Sequence, residues 1–434
     1  MPSQWESTAR LVRRTGFGAS GAEVDAALRV GPARFVATLL AADPRADPGA
    51  RATPAPHFAD TAPIGKGADK AEKKQRKKQR KEQLVAATAW WVRRMAAVEQ
   101  PFGEKLTFCW HNHFATSAKK VKYPTWMLAQ NATLRAHGRG DFHTLAYALL
   151  TDAAILQWLD GQKNTSKAPN ENLAREFMEL FTLGHANTYT ETDVREGARA
   201  LTGWRIQPDG STAVQARLHD SGRKTVLGVS GALDAATFCD AVLAVPTGPA
   251  YLAKRMWAHL VSDTPPSAGV VDQLVLAYGA KRDLGAMLSA ILTAPEFAAA
   301  QGSIVISPVE WLIGAVRTLR VPVNTDADAM RLIQVLRGLG QVPFYPPSVG
   351  GWPSGRAWLS TAAVEVRLQA ALALTRAGDL SALDGSAPSR VDAVAHLLGI
   401  ASWSARSSAV LRASASDPQR LVAVALNTPE YLIH

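Results

Sequence analysis

The sequence of 434 residues has little cysteine. Cys109 and Cys239 are the only two, and they do not form a Cys-x-x-Cys pair. This excludes a disulfide framework and a metal site built from thiolates. No apolar run approaches the roughly 18 residues that a membrane-spanning helix needs. A Gly-rich phosphate loop, HExxH and GxSxG are also missing. We therefore expect a soluble protein outside these motif-defined enzyme classes, with a buried and inert thiol at Cys109.

A recognisable export signal is absent as well. Arg13-Arg14 resembles the start of a twin-arginine signal, but Glu23 and Asp25 interrupt the residues that follow. Neither an apolar segment nor a small-residue cleavage site comes after the arginines. The sequence therefore predicts a cytoplasmic protein, and export by another route stays open.

Positive charge is abundant but concentrated in one segment. The formal net charge is +11, and residues 70–83, with eight Lys/Arg and two Glu, supply +6 of it. No aromatic residue interrupts this segment, so it offers no platform for stacking bases. Two interpretations remain: a solvated helix, which is the simpler one, or an arm that binds a nucleic acid or another polyanion.

Helix signals dominate the rest of the chain. Thr190-Glu191-Thr192-Asp193 and Ser307-Pro308-Val309-Glu310 are typical of capping boxes, and Gly184 follows a helical pattern where a C-cap glycine belongs. We predict a mainly α fold, a large multi-helix assembly with a small β-hairpin insertion. Its predicted parts are N-terminal helices (1–42), a linker and basic helical insertion (43–83), a central helical domain with a β-hairpin near 204–229 (84–300), and a C-terminal helical region packed on the central part (301–434).

Several stretches resemble one protein family along nearly the whole chain. They are Leu11 to Gly18 (LVRRTGFG), Trp110 to Ser117 (WHNHFATS), Trp158 to Gly161 (WLDG), Pro169 to Gly184 (PNENLAREFMELFTLG), Ala200 to Trp204 (ALTGW), His219 to Gly228 (HDSGRKTVLG) and Gly350 to Pro353 (GGWP). Their order and spacing resemble the domain-of-unknown-function 1800 family. The resemblance implies a mostly helical bacterial protein, often encoded beside a predicted exported partner, without an established activity.

The predicted helix at 170–184 carries the main candidate site. Its apolar residues form one stripe, and a separate polar stripe contains Asn172, Arg175, Glu176 and Glu179. Glu176 and Glu179 are like charges at i,i+3, which repel unless a cation lies against them. That cation is either a metal or substrate group, or protein arginine from Arg195 and Arg199 on the next helix. The second alternative is a purely structural lattice.

Histidines supply the other candidates. On a helix His111 and His113 project about 200° apart, so they cannot bind one metal together unless the helix has ended. We expect His113 in the core and His111 on the more polar side, where it would serve as a ligand or base. His219-Asp220 precedes Ser221-Gly222, which we interpret as a hairpin turn; a functional role and an ordinary turn-forming role are both open.

Three functional hypotheses follow. The first is a hydrolase that is either metal-assisted, with a divalent metal as cofactor, or based on acid/base catalysis by its carboxylates. Its catalytic residues are Glu176, Glu179, His111, His219 and Asp220; its metal ligands are His111, Glu176 and Glu179; its substrate contacts are Arg175, Asn172, Arg205 and Lys224. The second is a non-catalytic helical scaffold that binds the product of a neighbouring gene. The third is a polyanion binder that uses the Lys/Arg-rich segment.

Overall fold

Helices account for nearly all of the regular structure, which confirms the predicted fold class. The computed structural model of the chain describes residues 2–58, 67–185, 188–299 and 304–433. None of the described helices is long and apolar enough to cross a lipid bilayer.

The helices follow one another with short connections. In chain order they are α1 (Gln4–Thr15), α2 (Gly21–Val30), α3 (Pro32–Ala41), α4 (Pro48–Ala52), α5 (Lys70–Ala97), α6 (Phe102–His113), α7 (Ala118–Val121), α8 (Pro124–His137), α9 (Phe142–Leu150), α10 (Ala153–Trp158), α11 (Asn172–Glu176), α12 (Glu191–Ala200), α13 (Ala235–Leu243), α14 (Gly248–Leu260), α15 (Ala268–Tyr278), α16 (Leu284–Thr293), α17 (Pro295–Ala299), α18 (Pro308–Thr318), α19 (Asp326–Gly338), α20 (Thr361–Ala377), α21 (Ala387–Leu397), α22 (Ala405–Ser414), α23 (Pro418–Ala425) and α24 (Pro429–Leu432). A π-helix, Phe177–Thr182, continues directly from α11.

Local sequence signals explain where several helices begin and end. Thr190 forms a capping box with Asp193 at the start of α12, and Ser307 forms one with Glu310 at the start of α18. Gly184 takes a positive φ of 82° after the π-helix, a conformation that favours glycine. Part of the predicted linker, residues 59–66, lies outside the described residues, and before it the chain forms the short α4.

In the part of the chain that the structure describes, the paired strands form two hairpins, where the sequence predicted one. The first pairs β1 (Trp204–Ile206) with β2 (Thr212–Val214), and the second pairs β3 (Lys224–Val226) with β4 (Val229–Gly231), both antiparallel. The second turn is Leu227-Gly228, where both residues have positive φ, as a type I′ turn requires. Ser221-Gly222 was predicted as a hairpin turn, but it lies in the bend before β3.

Two large apolar clusters form the interior. One joins the C-terminal half of α5 to α18–α23, and the other joins α6 to α8, α9 and α11–α16. Helix α6 contributes to both, because Phe108 belongs to the first cluster while Leu106 and Trp110 belong to the second. This position explains why nearly every side chain of α6 is buried. The division into four parts stays a prediction.

Candidate functional site

The two glutamates of the predicted site lie where the α-helix changes into the π-helix. Glu176 ends α11, and Glu179 lies within the π-helix. His185 Nδ1 is 2.8 Å from a Glu179 carboxylate oxygen, and Tyr189 forms a side-chain hydrogen bond with the same carboxylate. Burial and the negative charge of Glu179 raise the pKa of Glu176. The site therefore consists of Glu176, whose pKa is raised, and the Glu179 carboxylate, which contacts the His185 imidazole and the Tyr189 phenol.

Side chains from other elements complete the hydrogen bonding of the π-helix. The Tyr251 hydroxyl donates to the Leu180 carbonyl at 2.7 Å, and His113 Nε2 lies 2.9 Å from the Phe181 carbonyl. Carbonyls in the last turn of a helix lack intrahelical donors, so these contacts satisfy them. His113 is 2% exposed, and burial lowers its pKa to about 3. The expected core position of His113 is confirmed.

His111 has a different environment from the expected polar one. It is 1% exposed, with the rings of Trp91, Phe344 and Trp352 at centroid distances of 5.5 to 5.7 Å. Burial lowers the pKa of His111 to about 3, so the ring is neutral at pH 7. The expectation of a polar face was wrong because α6 lies between two cores and has no solvent side at this position.

Arg175 and Asn172 make local structural contacts. Arg175 donates two hydrogen bonds to Glu191, at 2.8 and 2.7 Å, and one to Glu171 at 3.0 Å. These hydrogen bonds and charges raise the pKa of Arg175. Asn172 Nδ2 donates to the Leu159 carbonyl at 3.2 Å. Arg175 is therefore paired with Glu191 and Glu171, and these contacts occupy the guanidinium of α11.

The structural alternative, in which Arg195 and Arg199 of α12 pair with Glu176 and Glu179, is also wrong, because the two arginines have other partners. Arg199 binds Glu196 at 2.9 Å and Asp220 at 2.7 Å, while the exposed Arg195 donates to the Thr192 hydroxyl. The π-helix, in which the hydrogen bond runs from residue i+5 to i, changes the direction of every side chain after Glu176. A wheel drawn for a continuous α-helix therefore assigns these faces incorrectly.

Asp220 and its neighbours anchor the hairpin region on α12. The hydrogen bond from Arg199 lowers the pKa of Asp220, and the Asp220 backbone N–H donates to the Thr202 hydroxyl at 2.8 Å. His219 Nδ1 is 3.0 Å from the Thr202 carbonyl oxygen. Lys224 is buried and donates to the carbonyls of Asp220 and Gly222.

Arg205 is likewise bound to backbone, donating to the carbonyls of Gln162 and Trp204. The structure therefore does not bring the predicted site residues together. Glu176 and Glu179 form one group, the His219 to Lys224 segment another, and His111 a third. Within residues 2–58, 67–185, 188–299 and 304–433 there is no group of three or more His, Cys, Asp or Glu side chains able to hold a metal ion.

A different polar site lies at the junction of the two cores. A cavity of about 240 Å³ separates α6 and α14 from the start of α18 and the chain around Trp352. Its polar and charged lining includes Lys105, Asn112, Arg255, His259, Asp263, Ser307, Glu310 and Gln341. Phe108, Cys109, Trp352 and Trp358 supply much of the apolar wall. Cys109 is buried, and burial raises the pKa of its thiol, as expected for an inert cysteine.

Lys105 forms the α6 side of this cavity. It is 3% exposed and pairs with Glu310, the N3 residue of the α18 capping box. Burial, and to a smaller extent the nearby charge of Arg14, lower the pKa of Lys105 to about 8. The family-like stretch around Arg14 thus contributes to the electrostatics of the cavity.

On α14 and around Trp352, the cavity lining carries hydrogen-bond donors without acceptors. Arg255 has no hydrogen-bond or carboxylate partner among the described residues, and its Nε is buried. His259 Nε2 and Trp352 Nε1 are also buried without a partner in this part of the chain. Burial, and then the charge of Arg255, lower the pKa of His259 to about 3, so its ring is neutral at pH 7.

Two family-like stretches meet at the cavity wall. Asn112 Oδ1 accepts a hydrogen bond from the Trp352 backbone N–H at 2.7 Å. Gly351 between them has a φ of +85°, and a Cβ there would lie 2.2 Å from Asn112 Oδ1. The glycine allows the close approach that places the Trp352 ring over Phe108, with 5.2 Å between ring centroids.

A buried ion-pair network fixes the position of α6. The Glu104 carboxylate accepts hydrogen bonds from Arg94 of α5, from Arg135 of α8 and from Trp91 Nε1. Burial opposes ionisation, but the two guanidinium groups more than compensate and lower the pKa of Glu104. Lys105, the next residue, is thereby held at the cavity.

Fold and cavity together define a helical protein with a donor-rich cavity between two cores. The model of the DUF1800 family, described as proteins of unknown function, matches residues 10–433, and the chain belongs to this family. No curated protein and no solved structure matches the chain.

Sequence reasoning missed Lys105, Arg255 and His259. One usable signal was the position of Lys105 directly before Leu106-Thr107-Phe108-Cys109-Trp110 in a helix without a polar face. A lysine within such a segment must find a partner or a special environment. Arg255 and His259 gave no comparable signal, because a basic residue every four positions is typical of exposed helix faces.

Proposed function

We propose that this protein binds a small anionic molecule, one that carries a carboxylate or phosphate group, in the cavity between its two cores. The observation that carries the proposal is Arg255, a partly buried guanidinium without an acceptor among the described residues. A cation in such a place costs free energy unless a counter-charge approaches it. A bound anion supplies both the charge and the hydrogen-bond acceptors, and guanidinium matches carboxylate and phosphate geometry.

The remaining lining supports an acceptor-rich ligand. Trp352 Nε1–H can only donate, and a neutral His259 has one ring N–H to donate. Of the two carboxylates in the lining, Glu310 is already paired with Lys105, and Asp263 forms no ion pair with Arg255 among the described residues. The cavity of about 240 Å³ lies just below the usual range of roughly 300 to 1,000 Å³ for ligand pockets. Both size and chemistry therefore favour a small anion.

The test is a thermal-shift and calorimetric screen of small mono- and dicarboxylates and phosphates against the wild type and Arg255→Gln. A ligand at 100 times its Kd adds about 2.7 kcal/mol of stability. For a chain of this length that corresponds to a rise in Tm of about 3 °C. We expect Arg255→Gln to lose at least tenfold in affinity for the anion that binds, and Lys254→Gln, the adjacent exposed position, to bind normally.

The stability of the ligand-free variants separates a binding role from a structural one. Removal of an unpaired, partly buried charge relieves a desolvation cost, so Arg255→Gln without ligand should be at least as stable as the wild type. A clear fall in its Tm, together with unchanged anion binding, contradicts the proposal. So does a screen in which no anion stabilises the wild type.

The carboxyl pair at the π-helix supports a second candidate, an acid/base hydrolase. The specific observation is the raised pKa of Glu176 beside the Glu179 carboxylate, since a carboxyl whose pKa is raised is better suited to act as a general acid or base near neutral pH. This candidate predicts that Glu176→Gln abolishes turnover in a hydrolase screen and keeps the wild-type Tm. Turnover that survives in the variant contradicts it.

A further inference from the structure

The first half of α5 extends into solvent, whereas its second half is packed in the core. Residues 70–75, 77–79, 81 and 82 are all exposed, while α5 becomes buried from Leu84 onward. The first half of this 28-residue helix is thus a solvated extension of an element anchored in the core. Trp90 and Trp91 belong to the anchored part.

The lysines of this extension lie on one side of the helix. At 100° per residue, six of them fall within an arc of about 140° and span about 17 Å along the axis. They are Lys70, Lys73, Lys74, Lys77, Lys78 and Lys81, and we call them the lysine face. Glu72 and Glu82 lie outside this arc, so no carboxylate of the helix falls within the lysine face.

The two arginines of the segment have partners outside the lysine face. Arg76 lies 3.6 Å from Glu72, and the Arg80 guanidinium lies over the Tyr123 ring, 4.1 Å from its centroid. Of the lysine face, Lys78 approaches Glu82 at 3.9 Å while 78% of its side chain remains exposed. The other five lysines form no ion pair in the part of the chain that the structure describes.

We propose that the lysine face binds the phosphate backbone of double-stranded nucleic acid without sequence preference. The face is a band of positive charges along the helix axis, which fits a linear polyanion with one negative charge per about 1.7 Å of axis. Ala71 is the only apolar residue between Lys70 and Gln83, so the helix has nothing to insert into a bilayer. It also lacks the aromatic residues on which single-stranded bases stack. Lysine, a flexible point charge, contacts phosphate without a fixed geometry.

The experiment is a fluorescence-anisotropy titration of the full chain with a labelled 20-base-pair DNA duplex from 50 to 200 mM NaCl. Six phosphate contacts predict a slope of log K against log salt of about −5, hence a loss of about 10³-fold across this range. A variant with Lys73, Lys74, Lys77 and Lys81 all changed to Gln keeps two of them. Its slope should fall to about −2, and its loss across the same range to about tenfold.

A charge-matched control distinguishes the lysine face from net charge. Lys119, Lys167, Lys254 and Lys281 are exposed elsewhere, and their joint change to Gln should leave the slope near −5. The proposal is overturned if the two quadruple variants lose affinity equally, or if the lysine-face variant binds the duplex like the wild type. It is also overturned if vesicles of 30% anionic phospholipid bind the wild type while the duplex does not. Circular dichroism confirms that both variants remain helical.

Discussion

Glu104→Gln tests the network that positions the candidate cavity. The Glu104 carboxylate is 2% exposed and accepts four hydrogen bonds: 3.0 Å from Trp91 Nε1, 2.6 Å from Arg94 Nε, and 2.7 and 2.8 Å from Arg135 Nε and Nη2. Glutamine keeps the shape, but it removes the charge and one acceptor oxygen. Its NH₂ group then faces donors, and two largely buried guanidinium groups lose their counter-charge.

We expect a large loss of stability because Glu104→Gln breaks the buried ion pairs with Arg94 and Arg135 and puts no other charge in their place. Removal of one partner from such a pair costs about 3 to 5 kcal/mol. With an unfolding entropy of about 2.1 cal/mol/K per residue, a chain of 434 residues should lose about 3 to 6 °C in Tm. Scanning calorimetry at pH 7 measures this, and Glu365→Gln, an exposed position, should change Tm by less than about 1 °C.

The pH dependence gives an independent check. The folded-state pKa of Glu104 is lowered, so the stability that its ionised form contributes is fully present above the unfolded pKa of about 4.3. It disappears as the pH falls through the folded value. The difference between wild type and Glu104→Gln should therefore be largest near neutral pH and shrink in acid. A Tm within about 1 °C of the wild type at pH 7 would refute this account of the network.

Two further substitutions probe single contacts. Burial raises the pKa of Asp152 to about 7, so the folded state retains a proton that the unfolded state loses near pH 4. Unfolding free energy should fall as the pH rises from 4 to 7, and Asp152→Asn, which still caps α10, should flatten that slope in urea titrations at each pH. Gly351→Ala should lower stability by about 1 to 3 kcal/mol because φ is +85° and the new Cβ meets Asn112. Gly350→Ala, whose Cβ meets nothing closer than 3.6 Å, is its control in calorimetry. A Gly351→Ala protein as stable as that control would contradict the close packing.

Local chemistry made the helical architecture predictable. The capping boxes at Thr190 and Ser307 and the glycine at 184 act through hydrogen bonds and dihedral angles of neighbouring residues, which the sequence states directly. The π-helix was not predictable in the same way. Its carbonyls at Leu180 and Phe181 are satisfied by Tyr251 and His113, donors that tertiary structure brings from distant segments.

The candidate cavity was hidden for the same reason. Its charged residues come from α6, α14, α18 and, with Asp263, the segment after α14, and only folding reveals which of them find partners. Lys105 meets Glu310, which lies more than 200 residues away in the chain. His111 was assigned to a polar face because a helical-wheel projection assumes one buried and one solvent-exposed face. Both faces of α6 are instead buried, each against a separate core.

Arg255 is informative because the other enclosed arginines have acceptors. Arg13 donates to the backbone carbonyls of Glu430 and Tyr431, Arg317 to those of Met95, Ala96 and Val98, Arg367 to that of Trp358, and Arg94 to Glu104. Backbone oxygens near helix ends are plentiful in a chain with so many helices, so a guanidinium that lacks one is not explained by a shortage of acceptors. The fold places Arg255 beside a cavity whose lining also includes His259 and Trp352, each with a buried ring nitrogen that has no partner among the described residues. Arg255, His259 and Trp352 all line this cavity, and this arrangement is the basis on which we propose an anion as its ligand.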